Sequence, residues 1–410
     1  MVLIPAKMGR INKRALVGRL QRIGQASRAD LAKSLGLSQP TAGKIADELL
    51  RMDVLEEVEE DAAAHRAGDA RNRVGRPGRI LRLSRRRTRF LAMELGVNET
   101  NLAAVPVGAA PEDRWTVQMQ TPASADGWVR ELKEAAMRLP HKEFWGVLVS
   151  VPGIVDELGS RVLFSPNLHW TEAADLPALI QKVWSAPVAL VQEERALALG
   201  YQCVDSREED FLLVDFGEGV GGAAIVSGRP FTGALPLSGE LGHTRVPGNR
   251  RKCGCGAIGC IETLVSVRGL LRSFAQAQRS APHTWDQLAM TIEAQGIPDW
   301  LEETLEQAGV VISGALNVLG LRRVILSGAL TELPPVVMEN MSQAILRGAM
   351  WARFGEVLVE TAPRRRTAGL VAVGIDRIVL PMEPGVRSDG HAAAGPFPGR
   401  AAAGWLSYDE

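Results

Sequence analysis

The sequence predicts an α/β protein in two parts: a small, basic, largely helical head and a larger body of short apolar strands alternating with amphipathic helices. Three observations carry this. Charge is split: residues 1–89 hold 20 Lys and Arg against 10 Asp and Glu, the remainder 27 against 37, in a 410-residue chain of zero formal net charge. Near Phe90 the hydrophobic period changes from helical spacing to strand-length runs bounded by glycine. Three of the four cysteines fall, with one histidine, in one glycine-rich stretch, residues 240–262.

The head is read first. Residues 11–23 have helical spacing, with Leu16, Leu20 and Ile23 on one face. Ser27 opens a second helix, with Asp30 at the capping-box position, and Leu31, Ala32 and Leu35 supply its apolar face before Gly36 ends it. Ser38 caps a third helix through about Met52, with Ala42, Ile45, Ala46 and Leu49 at i, i+3, i+4 and i+7. Two short helices joined by Gly-Leu-Ser are similar to a helix-turn-helix, whose last helix enters the major groove. Gln39 and Thr41 are then positioned for base edges and Lys44 for a phosphate. An ordinary three-helix bundle is the competing reading. Residues 54–58 and 80–83 read as paired strands. Between them, the segment ending in RNRVGRPGRI reads as the wing of a winged helix, bringing Arg71, Arg73, Arg76 and Arg79 to a minor groove. The alternative is a solvated basic linker. Residues 84–89 read as the joint to the body.

In the body, residues 90–96, 101–107 and 115–120 read as three strands, 128–139 as a helix, 145–156 as a buried strand ending in a turn and 187–191 as a further strand, with a helix from Glu193. Residues 211–228 read as two strands flanking a Gly-rich turn at 217–222, residues 324–328 as a strand, and 368–379 as a closing segment. This order resembles the actin-like ATPase fold, two related lobes, about 90–200 and 201–383, with a ligand cleft between them. Residues 384–410, rich in Gly, Ala and Pro, read as a disordered tail. No apolar run approaches membrane-spanning length and the start lacks a signal-peptide core, so a soluble, cytoplasmic protein without a membrane partner is expected.

The stretch at 240–262 carries two chemistries. His243, Cys253, Cys255 and Cys260 supply one imidazole and three thiolates, a complete tetrahedral set for a structural zinc ion. A disulfide fits less well, because a C-x-C pair closes a strained ring; ordinary reduced cysteines are the competing reading. Glu240 and Glu262 bracket the loop, and carboxylates there suit the hydroxyls of a sugar. The pattern E-x-G-H followed by C-x-C-G-x-x-G-C-x-E resembles the signature of the ROK family of repressors, open reading frames and sugar kinases. PGIVD and SPNLHW resemble two further family segments. The resemblance extends over about residues 10–383. It implies zinc on His243, Cys253, Cys255 and Cys260, and sugar contacts from Glu240, His243 and Glu262. Asn167, Gln192 and Glu193 join these as further sugar contacts. The winged head with its arginine wing is what the family's repressors have and its kinases lack.

Against the family's kinases, three motifs depart. Gln192 and Glu193 stand where the kinases have Asn and the catalytic Asp, so the carboxylate is one methylene longer. The first phosphate loop, D-x-G-G-T-K there, is Glu94-Leu95-Gly96-Val97-Asn98-Glu99 here. Glu218 replaces a Thr in the second. Acids beside a polyphosphate repel it. The expectation is therefore a regulator without catalytic residues, most simply a repressor binding double-stranded operator DNA as a homodimer or higher oligomer and sensing a small carbohydrate or sugar phosphate. The alternatives are an ATP-dependent sugar kinase with a DNA-binding extension, and a DNA-binding regulator whose body only dimerises or meets a protein partner.

Overall fold

The computed structural model describes residues 5–58, 79–108, 112–141, 143–205, 207, 209–232, 238–279 and 284–381. The head comprises α1 (Pro5–Ile23), β1 (Gln25–Ser27), α2 (Arg28–Ser34), α3 (Gln39–Arg51), β2 (Leu55–Val58) and β3 (Ile80–Leu83). Helix α1 begins earlier than its apolar spacing suggested, since Pro5 needs no N–H donor in a first turn. The serines cap as expected: Ser27 Oγ accepts from Asp30 N and Ser38 Oγ from Thr41 N. Asp30 does not close a reciprocal box on the backbone; its carboxylate takes the Ser27 hydroxyl, at 2.7 Å. Ala42, Ile45, Ala46 and Leu49 are all buried, which fixes the opposite face of α3 toward solvent. The three strands form an antiparallel sheet in the order β1-β3-β2.

The body opens with β4 (Thr88–Leu95), β5 (Glu99–Pro106), β6 (Val117–Gln120), α4 (Ala125–Arg138), β7 (Gly146–Val151), β8 (Ile154–Asp156), β9 (Arg161–Phe164), α5 (Leu176–Gln181), β10 (Val188–Gln192) and α6 (Glu193–Gln202). It continues with β11 (Phe211–Phe216), β12 (Val220–Val226), β13 (Arg229–Pro230), α7 (Glu262–Val265), α8 (Val267–Gln278), α9 (Trp285–Gln295), α10 (Asp299–Leu319), β14 (Arg323–Gly328), α11 (Pro335–Gly348), β15 (Leu358–Thr361) and α12 (Arg366–Gly374), the last extended by a π-turn over Ile375–Val379. The expected strand at 145–156 is thus two, broken at Pro152-Gly153, and the Gly-rich turn is shorter than expected because Gly221 and Gly222 already pair with β11.

The two lobes repeat one design. One sheet has the order β10-β7-β4-β5-β6 and the other β15-β14-β11-β12-β13. In each, counted along the chain, the first strand pairs antiparallel with the second and parallel with the fourth, and the fourth runs parallel to the fifth. The helices after the two fifth strands, α6 and α12, then pack on each other. A Cβ on Gly200 would meet Arg365 O at 1.8 Å and one on Gly369 would meet Ala196 O at 1.8 Å, so only glycine allows this approach. Helix α12 also packs its apolar residues with β4, β7 and β10, so 366–381 belongs with the first lobe and not, as the sequence division had it, with the second.

The head is joined to the first lobe through one continuous apolar core, running from Leu16, Leu20, Leu49 and Leu81 to Phe90, Leu148 and Leu370. Polar contacts reinforce the joint. Arg89 pairs with Asp53 and lies 4.7 Å over the Trp145 ring. Arg14 donates to Leu380 O at 3.0 Å and Asp376 O at 2.6 Å, and Arg10 to Pro381 O at 3.2 Å. Among the described residues no helix is long and apolar enough to cross a membrane.

Candidate ligand cleft and metal centre

The carboxyl ends of the parallel strands in both sheets face a crevice between the lobes, where open α/β sheets bind ligands. It encloses a cavity of about 160 Å³. Strand β4 delivers Glu94, the first turn of α6 delivers Glu193 and Glu194, and β11 delivers Asp215. The 3-10 turn Leu241–His243 ahead of the cysteine loop brings His243 and its capping Glu240, α7 brings Glu262, and the segment after β9 brings Asn167.

Beside the cavity lies the metal-ligand cluster. One donor atom from each of His243, Cys253, Cys255 and Cys260 lies within 4.8 Å of every other. Cys255 Sγ to Cys260 Sγ is 3.7 Å, and Cys253 Sγ to His243 Nδ1 is 3.5 Å. A disulfide needs about 2.0 Å. A tetrahedral centre with metal–sulfur bonds of about 2.3 Å needs edges of about 3.6–3.8 Å, so the four side chains fit a bound metal ion. The loop is held by backbone bonds, among them Val246 N to Gly259 O and Ile261 N to Thr244 O. With Nδ1 facing the sulfurs, His243 Nε2 faces Glu240 Oε2 at 3.7 Å, the carboxylate–imidazole arrangement common behind metal-bound histidine.

The expected sugar-contact residues divide. Glu240, Glu262, His243, Asn167 and Glu193 line the cavity. Gln192 does not: it is 8% exposed and stands behind Glu240, donating Nε2 to Glu240 Oε1 at 3.2 Å. The end of a strand aims that side chain at its neighbour, not at the crevice. Glu262 Oε2 accepts from Val220 N at 3.0 Å, and Arg268 donates to Asn167 Oδ1 at 3.4 Å.

Sequence reasoning missed two arginines. Arg364 forks onto Asp215, Nε to Oδ1 at 2.9 Å and Nη2 to Oδ2 at 2.7 Å, while Ser327 Oγ donates to Oδ1 at 2.7 Å. Burial works to raise the Asp215 carboxyl, but the Arg364 guanidinium overrides it and holds the group below its ordinary range. Arg366, 2% exposed, pairs with Glu94 Oε1 at 2.6 Å and with Glu193. Asp113 caps α12 and fixes Arg366, accepting from Arg366 N at 3.0 Å and Thr367 N at 2.7 Å. The run Arg364-Arg365-Arg366 directly before an apolar helix was the available signal.

Glu194 was missed as well. Burial, then repulsion from Glu193 and Glu240, pushes its carboxyl well above the ordinary range. The folded-state value exceeds the unfolded one, so ionising Glu194 destabilises the fold as pH rises above the usual carboxylate range, and below that range the effect is absent. Replacing Glu194 with glutamine is therefore expected to raise Tm at pH 8 and to leave it unchanged near pH 4. Thermal unfolding at the two pH values checks this.

A sequence profile of the ROK family matches residues 90–373, which span both lobes, the crevice and the cysteine loop. The chain belongs to the ROK family. A xylose repressor of Bacillus subtilis (strain 168) is 22% identical over 378 residues, covering 90% of this chain and 95% of that repressor. Among solved structures, a ROK family transcriptional regulator, a homologue of the E. coli MLC protein, superposes with a TM-score of 0.66 at 22% identity, over 90% of this chain and 96% of that one. A ROK family glucokinase from Streptomyces griseus, solved with glucose and AMPPNP, superposes with a TM-score of 0.56 at 22% identity, over 69% of this chain and 97% of the kinase. These likenesses establish the mixed α/β, actin-like ROK fold.

On the head, Gln39, Thr41 and Lys44 are exposed on the first turns of α3, opposite its buried face. Thr41 Oγ1 shares a 2.8 Å hydrogen bond with Ser38 Oγ. Arg79 is exposed but paired with Glu57 at 2.5 Å. Arg71, Arg73 and Arg76, and the tail at 384–410, lie outside the described residues.

Proposed function

We propose that this ROK protein is a transcriptional repressor whose amino-terminal module, residues 1–89, is a winged helix-turn-helix that binds operator DNA, and whose interlobe cleft senses a carbohydrate. The observation that carries it is the exposed first turn of α3, with Gln39, Thr41 and Lys44 on a helix whose other face is sealed into the head. The likeness to a repressor and to a transcriptional regulator, each over 90% of this chain, supports it. A palindromic operator would call for a homodimer. Glu240, Glu262, His243 and Asn167 are the sugar contacts in this reading. Glu193, tied to Arg366, helps shape the wall. The metal is zinc, held by the imidazole of His243 and the thiolates of Cys253, Cys255 and Cys260, and its part is structural: it fixes the loop that carries Glu240 and Glu262.

The same reading makes the body a sensor and not a kinase. Glu193, where a catalytic aspartate would stand, is engaged by Arg366, and Glu94 and Glu218 stand in the phosphate loops. Turnover of ATP with a hexose panel at ordinary enzymatic rates would overturn this part.

Selection of bound sequences from random duplex DNA, with and without sugars, tests the whole. Substituting Gln39 with alanine is expected to relax preference at one base position by about 1–3 kcal/mol. Lys44→Ala should weaken binding to all sequences alike and reduce the salt slope by about 1. Arg79→Ala should do less, because Glu57 already holds its guanidinium. Equal DNA binding by residues 90–410 alone would remove the assignment.

A further inference from the structure

We propose that the interlobe cleft admits uncharged carbohydrates and turns away their phosphate esters. The inference rests on the carbohydrate-sensing reading and narrows it to a chemical class.

Glu94, Glu193, Glu194, Glu218, Glu240 and Glu262 all line the cavity, with Asp215 at its back. Two guanidiniums on the carboxylates face this set and both are committed, while a third, Arg268, donates to the cavity-lining Asn167 Oδ1 at 3.4 Å. Arg364 holds both oxygens of Asp215. Arg366 is divided between Glu94 and Glu193. Neither can turn to a phosphate without stranding a carboxylate: Asp215 is 5% exposed, and Arg366 itself is 2% exposed. Glu240 and Glu262 are met by neutral donors, the Gln192 amide and the Val220 N–H. Among the described residues, Glu194 and Glu218 have no side-chain partner. His243, committed to the sulfur cluster through Nδ1, adds no cation when a metal is bound.

One feature would ordinarily favour an anion, the amino terminus of α6. Its first turn already carries Glu193 and Glu194. A phosphate ester brings about −1.5 to −2 charges at pH 7 to a wall already lined by carboxyl groups. A hydroxyl, by contrast, donates to these carboxylates and gains a charge-assisted hydrogen bond.

The test is titration of the full chain, calorimetrically and by thermal shift at low ionic strength. The probes are D-glucose, D-mannose and N-acetyl-D-glucosamine, each beside its 6-phosphate ester. Inorganic phosphate is a further probe, and a neutral 6-O-acetyl derivative separates bulk from charge. For each sugar that binds, the ester is expected to bind at least about tenfold more weakly, and the acetyl derivative to fall between the two. Glu218→Gln should narrow the gap. An ester that binds as tightly as its parent overturns the selection and leaves carbohydrate sensing standing. A gap that Glu218→Gln does not change, or that the acetyl derivative shows in full, overturns the role given to the carboxylates. A panel in which no sugar and no ester binds overturns the sensing reading, and this inference with it.

Discussion

Serine in place of Cys260 is expected to lower metal content below one per chain and to destabilise the second lobe more than any other single substitution considered. Cys260 is fully buried and 3.7 Å from Cys255 Sγ. The loop it closes has little apolar packing of its own: Val246 and Ile261 are buried at its ends, while Ile258 near its tip is 47% exposed. Folding of such a loop draws on the binding energy of its metal, roughly 10–16 kcal/mol for zinc in isolated fingers, against a whole-domain stability of about 5–15 kcal/mol. Protons compete for the same sulfurs. Burial pushes the Cys253 thiol up, and pushes Cys260 up to about 11, so each must give up a proton to bind metal. Metal should therefore be lost as pH falls and held more tightly as it rises. Cys203→Ser is the control, because Cys203 lies outside the cluster. Elemental analysis together with Tm measures both; a Cys260→Ser protein with full metal content would refute the centre.

Replacing Arg366 with methionine should cost about 3–5 kcal/mol, since it removes the cation that bridges Glu94 and Glu193. In thermal unfolding of the body this is a fall of roughly 6–20 °C. The cause is the unpaired charge more than the lost contact, so a second change discriminates. Adding Glu193→Gln to Arg366→Met should recover part of the loss, whereas a simple packing defect would be deepened by it. A Tm for Arg366→Met within about 2 °C of the wild type would mean the pairing contributes little.

These two sites were unequally legible in the sequence. The cysteine cluster is local: its donors lie within 18 residues of one another, and their spacing alone brings them together. The head is local too. Ser27 and Ser38 mark helix starts, and the 3.6-residue period of α3 identifies its buried face. The ionic half of the cleft is not local. Arg366 meets Glu193 across 173 positions and Arg364 meets Asp215 across 149, and no periodicity links them. Gln192 shows the other kind of failure. Its position in the motif was legible, but the direction of its side chain depends on strand β10 ending against Glu157 and Glu240. The place of α12 was missed because sequence order suggested the second lobe, while its packing on β4, β7 and β10 returns it to the first.

The polar seam between α1 and the end of the described chain bears on biosynthesis. Arg14 and Arg10 find acceptors at Asp376, Leu380 and Pro381, between 362 and 371 positions later. At about 5–20 residues per second, a ribosome delivers those carbonyls roughly 20–70 s after the arginines. Through that interval the nascent head can close its own small core while its docking face stays open, so chaperone contacts with a ribosome-bound chain should persist at α1 until residues 376–381 have left the exit tunnel.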